Sequence, residues 1–393
     1  MWDKRHGILL FLNSFATGLL SPLLTLLLLG SGIGMAAVPL TVGLYSATTV
    51  VFEIPSGMAA DRWGRKNCFL LSCVFLLPSL GLLALGRGLP AMLAAMVFLG
   101  LARAFSSGSL DALVVEEFLL KHGEEALPRC TARISALTSI GLAAGCLAGG
   151  GVYSLTGRLW AAIALKAAVV LALLALGAGL TEHPVARETA NPVALLTATL
   201  RGSGTVRALV LLCAAAAPPV FAVEVFYQPR FTQLLHGGAA GWALGFLSAG
   251  GYYATAAGSL LAACLGRPTL RRLLAFTGLT GAGLAGMAAA GTPVLFVAAY
   301  FAFYAILGGT DCLTSTLLNR AAPPNQRATL LSACSLAMQL GGLAASPLLS
   351  AGAALGTIPQ VWLAAGGAVA AVMLVCLAVS AWRGRKTPPL PKH

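Results

Sequence analysis

Gly57-Met58-Ala59-Ala60-Asp61-Arg62-Trp63-Gly64-Arg65-Lys66 breaks two long apolar stretches with a tight, basic turn, and its reading decides the fold. Only 9% of the 393 residues are charged, against roughly 25% in a soluble globular protein. One acid and three bases gathered between two hydrophobic segments therefore mark a loop at a membrane surface. A mean hydropathy of +0.87 with 58% hydrophobic residues leaves too little polar surface to cover a soluble core. A spanning helix needs about 20 mainly apolar residues. Twelve such runs separate at Gly, Pro or charged breaks, near 7–29, 34–56, 68–86, 89–115, 131–154, 158–180, 208–231, 240–265, 273–290, 293–318, 328–353 and 358–382. They are too long and too continuously apolar for barrel strands, and lipid admits only helices or closed barrels. The chain is predicted to be an all-α integral membrane protein with 12 transmembrane helices.

The net charge of +13 raises the question of nucleic acid, and its distribution answers it. With the N-terminus inside, the cytoplasmic loops and tails hold twenty of the 25 lysines and arginines. The outer side keeps Arg87, Arg158 and Arg230, while Arg103 and Lys166 fall inside helices. That is the positive-inside bias of a multi-pass protein of the cell membrane, both termini cytoplasmic. The first apolar run is too long for a signal peptide and lacks a small-residue cleavage site. The nine cysteines form no CxxC pair and read as small apolar fillers. The five histidines fall near predicted surfaces and show no metal spacing, so neither a metal nor a cofactor is expected.

The longest polar interior stretch, 181–207, divides the runs into two sets of six. The expected organisation is an N-terminal bundle over 1–180, a cytoplasmic linker over 181–207, a C-terminal bundle over 208–382 and a basic, Pro-rich tail over 383–393. Two such halves imply an internal duplication. Gly108-Ser109-Leu110-Asp111 in the fourth run recurs as Gly308-Gly309-Thr310-Asp311 in the tenth, where a duplication places it.

Residues 57–66 resemble, position for position, the signature loop of the major facilitator superfamily: Gly57, Asp61 four residues on, then Gly64-Arg65-Lys66. The resemblance implies two pseudo-symmetric six-helix bundles. It also implies a gate in which Asp61 and the bases Arg62, Arg65 and Lys66 lock the cytoplasmic ends of the halves. Glu53 lies two turns before Asp61 on nearly the same helix face, a combination that resembles the drug-export branch. Gly141-x-x-x-Gly145-Cys146-x-x-Gly149-Gly150 resembles the antiporter motif of drug/proton exchangers, with Cys146 where that motif has proline. Plain close packing of helices through small residues is the alternative reading. The loop from Leu318 to Ser332 resembles that of small bacterial members.

Charges inside the membrane are costly and usually serve function. Here they are Glu53, Arg103, Asp111, Lys166, Glu224 and Asp311. In the fold that the resemblance implies, helices 1, 4, 7 and 10 line a cavity, and four of the six charges lie on them. Asn13, Ser14, Thr17 and Ser21 add polar groups at helical spacing, as do Tyr227, Gln228, Tyr300 and Tyr304. A mostly apolar cavity with a few polar anchors suits a small molecule. Burial favours the protonated form of a carboxyl and a nearby cation the charged form, so an acid alternating between such settings can carry a proton. Asp111, Glu224 and Asp311, then Glu53, are the candidates for coupling, with Arg103 as counter-charge to Asp111. Lys166 is expected to extend its amine toward the interface, and Glu116 and Glu117 to be solvated.

The leading expectation is a proton-coupled antiporter exporting a hydrophobic small molecule, working as a monomer in the bilayer. A proton symporter taking up a metabolite keeps the fold and reverses the flux. A multispan receptor or lipid-precursor enzyme is the reading from another class, and no catalytic cluster supports it.

Overall fold

The computed structural model describes residues 4–182, 203–236, 240–321 and 327–386. Most of the predicted linker (183–202), residues 322–326 of the loop before Ser332, and the tail from 387 lie outside the described residues. The described residues form fourteen α-helices and one 3-10 turn. These are α1 (Lys4–Leu20), α2 (Leu24–Gly30), α3 (Ala37–Trp63), α4 (Arg65–Leu85), α5 (Gly88–Ser106), α6 (Leu110–His122) and α7 (Leu127–Thr156). Then come α8 (Leu159–Ala178), α9 (Gly204–Leu234), α10 (Ala240–Cys264), α11 (Leu270–Ala289), α12 (Pro293–Ala321), α13 (Arg327–Leu355) and α14 (Ile358–Lys386).

Each predicted apolar run coincides with one helix or one broken pair. Among the described residues nine are long and apolar enough to span a membrane, ten when the bent pair α1–α2 counts as one. Helices α10 and α11 fill the runs near 240–265 and 273–290, where Gly, Ala, Ser and Thr dilute the larger apolar side chains. Two spans read as continuous in the sequence are broken. The first bends by 46° between α1 and α2, at Pro22, which has no backbone N–H to give. The fourth breaks at Ser107-Gly108-Ser109, with Gly108 at φ +66. The matching segment Gly308–Asp311 runs inside the unbroken α12, so the repeated residues adopt different backbones.

The chain divides into two compact units. One holds 1–189 with 225–252 and 346–354; the other holds 190–224, 253–345 and 355–393. Helix α9 is thus shared, changing unit between Glu224 and Val225. In the first unit α7 lies along α1. Gly141, Gly145 and Gly149 present bare Cα atoms to the backbone at Phe11, Phe15 and Leu19, the close approach that small residues allow. Gly150 meets Gly241 and Gly245 of α10. In the second unit a cluster of Val206, Leu209, Cys213, Leu273, Leu313, Leu318, Leu330 and Cys334 joins α9, α11, α12 and α13. Some buried hydroxyls bond back to their own helix, as Thr41 Oγ1 does to the Ala37 carbonyl at 2.8 Å, and others to a neighbouring helix, as Ser79 Oγ does to the Ala95 carbonyl at 2.9 Å, which satisfies them away from water. Of the nine cysteines only Cys264 is exposed.

Candidate functional site

The 57–66 segment divides between two helices. Gly57, Asp61 and Arg62 belong to the last turns of α3 and are exposed. Gly64 makes the turn at φ +89, a backbone region that side chains with a Cβ seldom adopt. Arg65 and Lys66 begin α4. Their amides donate to one carboxylate, Glu182, from Arg65 N to Oε1 at 2.7 Å and from Lys66 N to Oε2 at 3.1 Å. A Cβ on Gly64 would run into that carboxylate. The acid that caps α4 is therefore Glu182, just past α8, while Asp61 stands on the exposed face of α3. Acids are stabilised at helix N-termini by the orphan amides and the dipole.

The side chains extend the tie. Arg65 donates from Nη1 to the Gly108 carbonyl at 2.8 Å and pairs through Nη2 with Glu116 at 2.8 Å. Lys66 Nζ donates to the Ala178 and Leu180 carbonyls at 2.8 and 2.6 Å, a cation at the C-terminal end of α8. One loop thus fastens the break of the fourth span and the end of the sixth. Glu116 and Glu117 are not solvated as expected. Glu117 is buried against His6, 3.3 Å from its Nε2, with Lys121 Nζ at 3.9 Å, and His6 is itself buried. Glu182→Ala should lower stability by about 2 kcal/mol, the scale of hydrogen bonds to a charged acceptor. The midpoint of thermal unfolding in detergent measures it, and an unshifted midpoint would remove the cap from the account.

The other charges of the first unit gather at the α5–α6 break. Ser107 Oγ donates to Glu53 Oε1 at 3.1 Å. Asp111 lies in the first turn of α6 and Arg103 in the last turn of α5, each favoured by the local dipole. Both are exposed, and no ion pair joins them among the described residues. Lys166 is buried at mid-helix in α8, so its amine does not reach toward an interface.

In the second unit Glu224 is accessible although Ala222, Val223 and Val225 to Pro229 around it are buried. The Tyr304 hydroxyl donates to its Oε1. Tyr304 packs at a tilt against Tyr300 with centroids 4.7 Å apart, and Phe303 packs edge-on at 5.5 Å. Behind them Trp362 stacks on Phe296 at 6.0 Å and donates Nε1–H to the Ala222 carbonyl at 3.0 Å. An aromatic cluster thus flanks one accessible carboxylate. Asp311, seven residues beyond Tyr304 on α12, is also accessible and makes no ion pair among the described residues.

The expected cavity residues part company. Thr17 is exposed and Asn13 half-buried, with Thr17 Oγ1 bonded back to the Asn13 carbonyl at 3.0 Å. Tyr300 and Tyr304 are buried; Tyr304 meets Glu224 directly and Tyr300 packs behind it. Tyr227 and Gln228 are fully buried and engage the backbone at the α1–α2 bend, at Ser21 and Thr25. Sequence reasoning missed Glu182, Ser107 and Ser248. For Glu182 a signal existed: it is the first acid after the sixth span, on the side of the basic loop by helix parity.

The profile of the Major Facilitator Superfamily matches residues 7–346. No curated protein sequence matches the chain. Among solved structures, a mutant of the nucleoside transporter NupG superposes with a TM-score of 0.81 at 15% identity, covering 96% of this chain and 99% of that one. A POT family transporter in complex with a thioalcohol-conjugated peptide gives 0.73 at 14%, covering 96% of each. A bacterial homolog of the human lysosomal transporter Spinster gives 0.67 at 15%, covering 96% and 94%. At these identities the likeness establishes the fold.

Proposed function

The chain belongs to the Major Facilitator Superfamily, and we propose that it is a proton-coupled antiporter that exports a hydrophobic small molecule from the cytoplasm. It is a multi-pass membrane transporter and not an enzyme. The observation that carries the coupling is Glu224, an accessible carboxyl set in a buried run and held by one tyrosine hydroxyl. With a neutral partner, such a group is free to exchange a proton as its surroundings wet and dry. Asp311 and Asp111 are the further carriers in this reading, with Glu53 beside Ser107. Each unit charge moved down 100 mV releases about 2.3 kcal/mol, enough to drive an uphill exchange.

Export is favoured by the resemblance of residues 57–66, with Glu53, and of Gly141 to Gly150 to the drug-export branch. In this reading Gly57, Asp61, Arg62, Gly64, Arg65 and Lys66 are the cytoplasmic gate, with Arg65 and Lys66 tied to Glu116 and Glu182 within the first unit. The second reading, a symporter for a small metabolite, draws on the nucleoside and peptide named for the similar structures and on the hydroxyl groups of α1. The experiment is transport in liposomes. A pH gradient should drive ethidium into inverted vesicles, and Asp311→Asn should abolish the gradient-dependent part. Dye movement that ignores the gradient would overturn proton coupling; accumulation with the gradient reversed would turn the antiporter into the symporter.

A further inference from the structure

The bend in the first span has an unusual occupant. Ser21 and Thr25 are four residues apart, so in a continuous helix the Thr25 amide would donate to the Ser21 carbonyl. Here the Gln228 carboxamide stands between them. Its Oε1 accepts from Thr25 N at 2.9 Å, and its Nε2 donates to the Ser21 carbonyl at 2.9 Å. Both halves of one helical hydrogen bond are thus satisfied by a single side chain from α9. Neighbouring contacts fix it there. Tyr227 OH reaches the Ser21 carbonyl at 3.2 Å and Ser248 Oγ at 2.8 Å, and Thr25 Oγ1 donates to the Val225 carbonyl at 3.1 Å. Side chains inserted into the helical ladder are a known cause of sharp kinks.

We propose that Gln228 is the pin of a two-state hinge in the first span. Inserted, its carboxamide holds α1 and α2 at their 46° bend; withdrawn, it lets Thr25 N bond the Ser21 carbonyl and the span re-form with the shallower kink of a proline-containing helix. The exchange follows from burial. Tyr227 and Gln228 are 1% and 2% exposed, so water does not take the place of the carboxamide. An amide or carbonyl left unpaired in such surroundings is costly. The two backbone groups then have one inexpensive partner, each other. The two backbone groups are paired in both states, while the carboxamide makes two hydrogen bonds only when inserted, so those two bonds bias the element toward the bend and an apolar residue at 228 removes the bias. Gln228 is in this account a positioning residue, and the proposal stands whichever substrate is carried and in whichever direction.

The test uses the full-length protein in lipid nanodiscs, spin-labelled at Gly34→Cys and Gln233→Cys with Cys264→Ser as background. Both labelled positions are exposed, and a Cβ on Gly34 meets nothing within 4 Å. Pulsed electron resonance reads the distance distribution, and hydrogen exchange reads the Thr25 amide. Gln228→Leu should move the population from the bent to the re-formed distance by tenfold or more while Thr25 stays protected, because its amide has turned to Ser21. An unchanged distribution would overturn the hinge. A changed distribution with Thr25 deprotected would also overturn it, leaving Gln228 as a fixed cap. Should the leucine variant fail to fold, Gln228→Asn keeps a polar amide but is too short to bridge both groups, and it is held to the same outcomes.

Discussion

Glu224→Gln is expected to abolish proton-driven accumulation while leaving the protein folded and able to exchange its substrate. Glutamine keeps the size of the side chain and an oxygen to accept from Tyr304, but it cannot gain or lose a proton. Exchange of one proton per substrate across one pH unit supplies about 1.4 kcal/mol, or tenfold accumulation. In liposomes the ratio of dye inside to outside should therefore fall from about tenfold to one per pH unit. Exchange of labelled for unlabelled dye, which needs no gradient, should continue. Tyr304→Phe removes the donor yet leaves the carboxyl, and it should retain gradient-driven uptake. Accumulation that survives Glu224→Gln would move the proton to another acid; loss of exchange together with accumulation would mean that Glu224 binds substrate instead.

Gly149→Val should be the most damaging single change to folding. A Cβ at Gly149 would lie on the backbone of Leu19, meeting its carbonyl carbon at 2.8 Å and its Cα at 3.0 Å. Backbone does not rotate out of the way as a side chain can, so α7 must move off α1. Overpacking of this kind costs typically 1–3 kcal/mol and more when rigid backbone is struck. The glycines at 141 and 145 make the same approach, so the separation would propagate along the helix pair. The expected result is loss of the monodisperse peak in size-exclusion chromatography, or a fall in the unfolding midpoint. Gly57→Ala is the contrast, since its Cβ would meet nothing within 4 Å. There the gain in helix propensity, about 0.5–1 kcal/mol, should leave stability unchanged or raised. A stable Gly149→Val protein would show that the approach of α7 to α1 is not needed.

What could be read from the sequence was whatever depends on composition along one helix. The apolar runs marked every described helical span, because hydrophobicity over twenty residues is insensitive to detail. The turn at Gly64 was legible because glycine and a cluster of charge announce it. Breaks inside spans were less so: Ser107-Gly108-Ser109 lies in an apolar stretch whose average hides three residues. Partners between helices were not legible. Tyr227 and Gln228 look alike in sequence whether they face a substrate or repair a bent backbone, and only the position of Ser21 and Thr25 decides between these. Glu182 was set aside with the linker, although its carboxylate belongs to α4. The tetrads at 108–111 and 308–311 share only their first and last residues, and they lie in a broken and an unbroken helix: Gly308 is pressed against the backbone of Thr255, whereas a Cβ on Gly108 would meet nothing within 4 Å.

The lone outward thiol has a practical consequence. Because six of the nine sulfhydryls are buried and two more are half-buried, while Cys264 ends α10 beside Gly266, a maleimide fluorophore should attach to the native chain first at one place. The transporter thus carries its own reporter, and its rearrangements can be followed by emission changes without first stripping the other thiols.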